Sequence, residues 1–180
     1  MKVTVERNTP WSLAYSRALE TMGYPTTSVE PSSGWKRKML LARHSPIRCV
    51  MYTIRMEDIP YWVSVHFVRH GKFAEHFVST QRPDRTHSGV SRHDLPQDAS
   101  VNHTIFTNAA ELIEISKKRL CALASSETRT VWRMVVAELR RIGETEMADA
   151  MVPECVHHGN RCPEFRGCGA CPPVGAEDEG

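Results

Sequence analysis

No apolar run in this sequence approaches the roughly 20 residues that a helical membrane span requires. The opening stretch "MKVTVERNTPW" alternates and carries charge, where a secretory signal would show an unbroken apolar segment. Charge of one sign is not in surplus either. Lys and Arg total 23 against 21 Asp and Glu, a formal net charge of +2, too small to point to nucleic acid or to an anionic membrane. Also missing are a Walker loop, a dinucleotide glycine fingerprint and a Ser-His-Asp order; Gly71 stands isolated, so a Rossmann fold has no support. There are no internal repeats. These absences leave a cytoplasmic globular protein as the expectation.

What is present is ordinary in bulk and unusual in detail. The 180 residues are 41% hydrophobic and 24% charged, enough for one domain with a proper core and a small appendage. The expected division is a single α+β domain over residues 1–150, a Cys-rich segment over 151–172, and an acidic, disordered tail over 173–180. Nine histidines offer acids, bases or ligands near neutral pH. Six cysteines in such a chain argue against a disulfide framework, yet four of them crowd the C-terminal part.

Along the chain, "MKVTVE" reads as a strand, and "TPWSLAYSRALETMGY" as an amphipathic helix with Thr9 as N-cap and Pro10 in its first turn. A loop leads to a basic helix over Trp35 to Leu41. The β-branched and aromatic run from Ile47 to Met56 predicts a strand. "EDIPYWVSVHFVRH" predicts a helix capped by Asp58 and ending near Gly71. Residues 83 to 101 are loop-like. Asn102 to Ala124 predicts one long helix, on the spacing of Ile105, Leu112, Ile113, Leu120 and Leu123. Another helix follows from a Ser125 or Ser126 cap to about Arg141.

Several polar groups sit where apolar ones are expected. Asn108 and Arg119 are three helical turns apart, hence on one face. Arg119 is either a snorkelling or ion-paired side chain, or a planar cation held against a ligand. Arg69, Arg82 and Arg92 flank Ser79, Thr80 and Gln81, which makes either a solvated face or a cradle for an anion and a heterocycle. His44 precedes Ser45-Pro46, where a histidine is structural more often than chemical.

In order and spacing these pieces resemble one family, the flavin-dependent thymidylate synthases. "RHGKFAEHFVSTQR" is similar to that family's RHR…S.R signature, His44-Ser45-Pro46 to its upstream His-Ser/Thr-Pro, and "RHDLP" to its Arg-Leu-Pro piece. "NAAELIEISKKRLCALASSETR" resembles the Asn and Arg that close the pattern, and the likeness runs from about His44 to Arg129. The sequence departs from the family at Gly71, where an Arg is usual, and at His66, where a Gln is usual. The signature is one residue longer, so Ser79 or Thr80 stands in the serine position. A carboxylate expected before that serine is absent, and a helical insertion is reduced to a short loop.

The resemblance implies an α+β fold with a mixed or antiparallel sheet flanked by helices, assembled as a homotetramer with sites between subunits. It implies methylation of dUMP at C5 to dTMP, with FAD as cofactor and methylene-tetrahydrofolate and NADPH as co-substrates. Arg119 would be catalytic and would also touch substrate. FAD would be held by His44, Ser45, Arg69, His70, Gly71, Asn108 and Glu114. The nucleotide would be held by His66, Ser79, Thr80, Gln81, Arg82 and Arg92. Cys49 and Cys121 read as packed core thiols.

The tail "CVHHGNRCPEFRGCGAC" leaves three readings open for Cys155, Cys162, Cys168 and Cys171: structural zinc, free thiols, or redox chemistry. Two other functions compete with the first. One is C5 chemistry on a related nucleotide, by hydroxymethylation or on dCMP. The other is a zinc-clipped nucleic-acid-binding protein using Lys36, Arg37 and Lys38.

Overall fold

The computed structural model describes residues 1–87 and 89–175. Four strands build one antiparallel sheet in the order β1-β2-β4-β3: β1 (Lys2–Arg7), β2 (Met51–Pro60), β3 (Ala74–Val78) and β4 (Ser100–Asn108). Alternation decides which face is buried. Val3 and Val5 of β1, Tyr52, Ile54, Met56 and Ile59 of β2, and Val101, His103, Ile105 and Thr107 of β4 all point inward. The class is α+β with an antiparallel sheet.

Helices cover that inner face. The chief ones are α1 (Trp11–Thr21), α2 (Ser33–Ala42), α3 (Tyr61–Val68), α5 (Ala109–Arg119) and α6 (Ser126–Arg141); α4 (Pro83–Thr86), α7 (Thr145–Ala150) and α8 (Glu154–His157) are short. Helix α6 buries Val131, Trp132, Val135, Val136 and Leu139 against β1, β2 and α3. A single buried carboxylate ties the two ends of the chain. Glu144 Oε2 accepts from Trp11 Nε1 at 2.8 Å and from the Tyr52 hydroxyl at 2.8 Å, while Arg7 stands 3.2 Å from Oε1. Burial and this carboxylate push the Tyr52 phenol well above its ordinary range.

Four local expectations are corrected. The helix predicted over Asn102 to Ala124 is a strand followed by a helix. Residues 101–107 alternate inward and outward, and β4 is central, bonded to β2 and β3. Asn108 ends the strand and caps α5, its Oδ1 accepting from Glu111 N at 3.0 Å. The strand predicted from Ile47 starts only at Met51, because Ser45–Cys49 closes into a 3₁₀ helix with Pro46 in its first turn.

Thr9 does not cap α1. Its hydroxyl donates to Cys49 O at 2.6 Å and accepts from Met51 N at 2.8 Å, which fastens the start of β2. Asp58 does not cap α3 either; it sits at φ 58 in the irregularity between Met56 and Ile59. The first amides of α3 go instead to loop carbonyls, Tyr61 N to Ala99 O at 3.0 Å and Trp62 N to Gln97 O at 3.2 Å.

The Ser125 cap on α6 and its Arg141 end stand as expected. Among the described residues, no helix is long and apolar enough to cross a membrane. The last five residues of the expected acidic tail lie outside the described residues. Its first part pairs with the Cys-rich segment, Val174 N donating to Cys162 O at 2.9 Å.

Candidate functional site

A polar cluster forms where α3, α5, α6 and the start of β3 meet. Arg119, the last residue of α5, donates from Nε to His70 Nε2 at 2.9 Å and from Nη2 to His66 O at 2.7 Å. Accepting at Nε2 places the His70 proton on Nδ1 when the ring is neutral. Neutral is the favoured form: burial, the Arg119 cation and His76 pull His70 down to about 4. Burial and the Arg69 guanidinium likewise lower Arg119, which remains a cation at neutral pH. Its Nη1 makes no hydrogen bond among the described residues.

Two relays hold this cluster in place. The Ser125 hydroxyl donates to Thr128 Oγ1 at 2.8 Å, and Thr128 contacts His66 Nδ1 at 2.9 Å, so the cap of α6 also orients a side chain of α3. Burial, then Arg119 and Arg69, hold His66 below its ordinary value. On the sheet side, His76 Nε2 lies 2.9 Å from His70 O, a carbonyl that can only accept. In a neutral His76 ring the proton is therefore on Nε2, and Nδ1 accepts from His103 Nε2 at 3.0 Å. His103 is buried with its Nδ1 unpartnered, and burial with His76 pulls it to about 4.

The remaining predicted residues fall into other groups. Arg82 and Arg92 line one groove of about 420 Å³ with Ser91 and His93, and Asp84 in the same groove binds Arg82 at 3.0 and 2.7 Å. Ser79 Oγ accepts from Asn102 N at 3.0 Å and Thr80 Oγ1 from Arg82 N at 3.2 Å, so both hydroxyls shape the turn that presents Arg82. Gln81 is half-buried beside them. His44 and Ser45 line a groove of about 350 Å³ with Trp35, Met39 and Met22. Glu114 on α5 binds Arg43 at 3.3 Å and Lys117 at 2.7 Å, which draws α5 toward the His44 corner. Arg69 lines a third groove of about 320 Å³, with Tyr61, Val65, Val68 and Val78.

Asn108 is the exception among these residues, since its side-chain oxygen is committed to the α5 cap and the residue is buried. At Gly71 an added Cβ would meet only Val68 O, at 3.9 Å, so the backbone does not require glycine there. Lys36 of the basic run is held by Glu30 at 2.6 Å and stands over the Trp11 ring, which removes one of three cations from a nucleic-acid face.

Sequence reasoning missed Thr128, His76 and His103. The signal for the last was the inward alternation of Val101, His103, Ile105 and Thr107, masked by the helical spacing of Ile105 with Leu112. Cys49 is half-buried and packs against the core as expected, whereas Cys121, also half-buried, lines a cavity with the four C-terminal cysteines. Among the described residues no three Cys, His, Asp or Glu side chains already stand as a metal-holding group.

The α+β domain thus holds a guanidinium at a helix end, bonded to the His70 ring and to the His66 carbonyl. No family model and no curated protein matches the chain. Solved structures do. A flavin-dependent thymidylate synthase ThyX from Helicobacter pylori, complexed with FAD and dUMP, shares the fold at a TM-score of 0.62 and 14% identity, over 84% of this chain and 100% of that one. A second structure of the Helicobacter pylori enzyme with FAD and dUMP gives 0.62 and 13% identity, over 83% and 99%. At such identity the likeness establishes the fold.

Proposed function

We propose that this protein is a FAD-dependent thymidylate synthase-like methyltransferase. It would methylate dUMP at C5 to give dTMP, with methylene-tetrahydrofolate as one-carbon donor and NADPH as reductant. The observation that carries this reading is Arg119: a half-buried guanidinium held at Nε and Nη2, with no hydrogen bond at Nη1 among the described residues. It stands on a fold shared along nearly the whole chain with structures that hold FAD and dUMP.

The donor set fits both groups. C5 of a uracil ring becomes nucleophilic when negative charge is stabilised over N3 and O4, and a preorganised cation in a water-poor site does this without reorganising. Arg119 would supply that cation. His70 would offer its Nδ1–H to the flavin, together with Arg69, while the His44-Ser45 corner and Glu114 would hold the rest. Arg82 and Arg92 would grip the 5′-phosphate, with Ser79 or Thr80 beside them and Asp84 displaced from Arg82. When bound, reduced FAD would supply the hydride that completes the methyl group.

The three grooves beside the predicted residues measure only about 320–420 Å³ and lie apart, each small for FAD. We therefore infer a homotetramer that completes the site between chains. Exposed Tyr61, Val65 and Val68 on α3, with Phe73, Phe77 and Phe106 on the sheet side, supply apolar surface for that contact.

The test is an absorbance spectrum of the purified protein, FAD reconstitution, then titration with dUMP. Flavin absorbance that shifts on adding dUMP, and a product of dTMP mass, are expected. Failure to bind added FAD overturns the reading. A hydroxymethylated product, or turnover of dCMP in place of dUMP, would retain the flavin chemistry and replace the substrate or outcome.

A further inference from the structure

The C-terminal segment carries a feature that the C5 chemistry does not use. Between Val152 and Gly175 only Cys162 is buried, and Phe165 is 99% exposed. A stretch with almost no regular structure and no core of its own lacks the apolar burial that would fix its shape. It is nevertheless folded back on itself: Cys162 N donates to Pro172 O at 2.6 Å and Val174 N to Cys162 O at 2.9 Å.

Its four cysteines face one space. Cys155, Cys162, Cys168 and Cys171 all line a cavity of about 160 Å³ closed by Leu120 and Cys121 at the end of α5. The Cys155 side chain contacts that of Cys171. Gly167 lets the loop approach the Cys162 sulfur, where an added Cβ would lie 3.3 Å from Sγ, and Gly169 at φ 80 turns the chain between Cys168 and Cys171. That glycine sits inside C-G-A-C, where two thiols leave one tight turn, the arrangement tetrahedral zinc favours.

We propose that Cys155, Cys162, Cys168 and Cys171 form a structural tetrathiolate zinc site that cross-links residues 155–171 into one closed unit against the end of α5. As each Zn–S bond forms, the thiol proton leaves to solvent, so four protons are released and the closed site carries charge −2. The donors do not yet share one coordination sphere. Closure therefore requires Cys168, now exposed, to swing inward on Gly167 and Gly169. Lys117 and Lys118, paired with Glu154 at 3.7 Å and Glu164 at 2.6 Å, already join the segment to α5 and place positive charge beside the forming thiolates. The site is closed to substrate and serves the fold.

The test uses the full chain purified under reducing conditions. One zinc per chain by elemental analysis is expected. Cobalt(II) added to metal-stripped protein should give the intense visible bands of a tetrahedral thiolate complex. Adding Zn²⁺ should slow alkylation of the four thiols by at least about tenfold. The double variant Cys168→Ser/Cys171→Ser should lose metal and become cleavable by protease after Met151, while Cys49→Ser/Cys121→Ser keeps both properties. Should the first variant fail to fold, chelator-treated wild-type protein must show the same protease sensitivity. Substoichiometric metal with alkylation unchanged by Zn²⁺ would overturn the proposal, and so would a Cys155–Cys171 disulfide in metal-free protein that gives equal protease resistance.

Discussion

Arg119→Lys keeps the charge at the end of α5 and removes the fork. An ammonium places its three donors on one atom, so it cannot reach both His70 Nε2 and His66 O, which now lie 2.9 and 2.7 Å from different guanidinium nitrogens. A hydrogen bond to a charged group contributes about 1.5–3 kcal/mol, and solvent screening at this half-exposed site reduces the loss of one to about 1–2 kcal/mol. At an m-value of about 1–3 kcal/mol/M, the urea midpoint should fall by about 0.3–2 M. The His70 titration, followed by NMR, should rise from about 4 as the cation moves off, yet stay below the ordinary histidine value because burial is the larger cause. If the proposed chemistry holds, kcat falls by about 10²–10³, the cost of misplacing one preorganised electrostatic group. An unchanged urea midpoint together with an unchanged His70 titration would refute the reasoning, since it would mean the fork is not formed in solution.

Acid should weaken the fold at two histidines. His70 and His103 both titrate near 4 when folded, below the ordinary 6.5, so their stabilisation is complete above about pH 6.5 and is lost as pH falls toward 4. Between pH 7 and 5 the unfolding free energy should drop by about 1–3 kcal/mol in urea melts, after discounting His70 for solvent screening. Glu144→Ala leaves the Trp11 N–H and Tyr52 hydroxyl without their acceptor and should cost about 2–4 kcal/mol by thermal unfolding. Gly71→Arg has room for its Cβ and should change stability by less than about 0.5 kcal/mol while tightening FAD binding in a fluorescence titration. Arg92→Ala, on an exposed loop, should weaken dUMP binding measured by calorimetry and leave the melting temperature unchanged.

Much of this architecture could be read from residue patterns, and its failures are physically instructive. The Ser125 cap, the α6 end at Arg141 and the β1 alternation were legible because each is a local device. β4 was not, because "SVNHTIFTN" runs directly into α5 and its Ile105 falls at helical spacing from Leu112; only pairing on both sides makes it a strand. Thr9 and Asp58 have the chemistry of helix caps, but tertiary contacts recruited the first, and carbonyls of residues 97 and 99 took the second's place. Arg69, His70 and Arg119 could be singled out from order and spacing, and the structure brings Arg119 into contact with the His70 ring. Their supports, Thr128, His76 and His103, could not be so identified, since each acts through a contact made only once α3, β3, β4 and α6 have packed.

The strand order carries a consequence for how the molecule is made. β2 lies between β1 and β4, so Ile54 cannot find Ile105 until everything between them has emerged from the ribosome. Until then a Tyr52–Met56 edge rich in β-branched and aromatic groups is open to other nascent chains. Distant pairing of this kind slows folding and lengthens exposure to aggregation. Overproduction at reduced temperature, or with a chaperone at hand, is the regime in which this topology should give the most usable material.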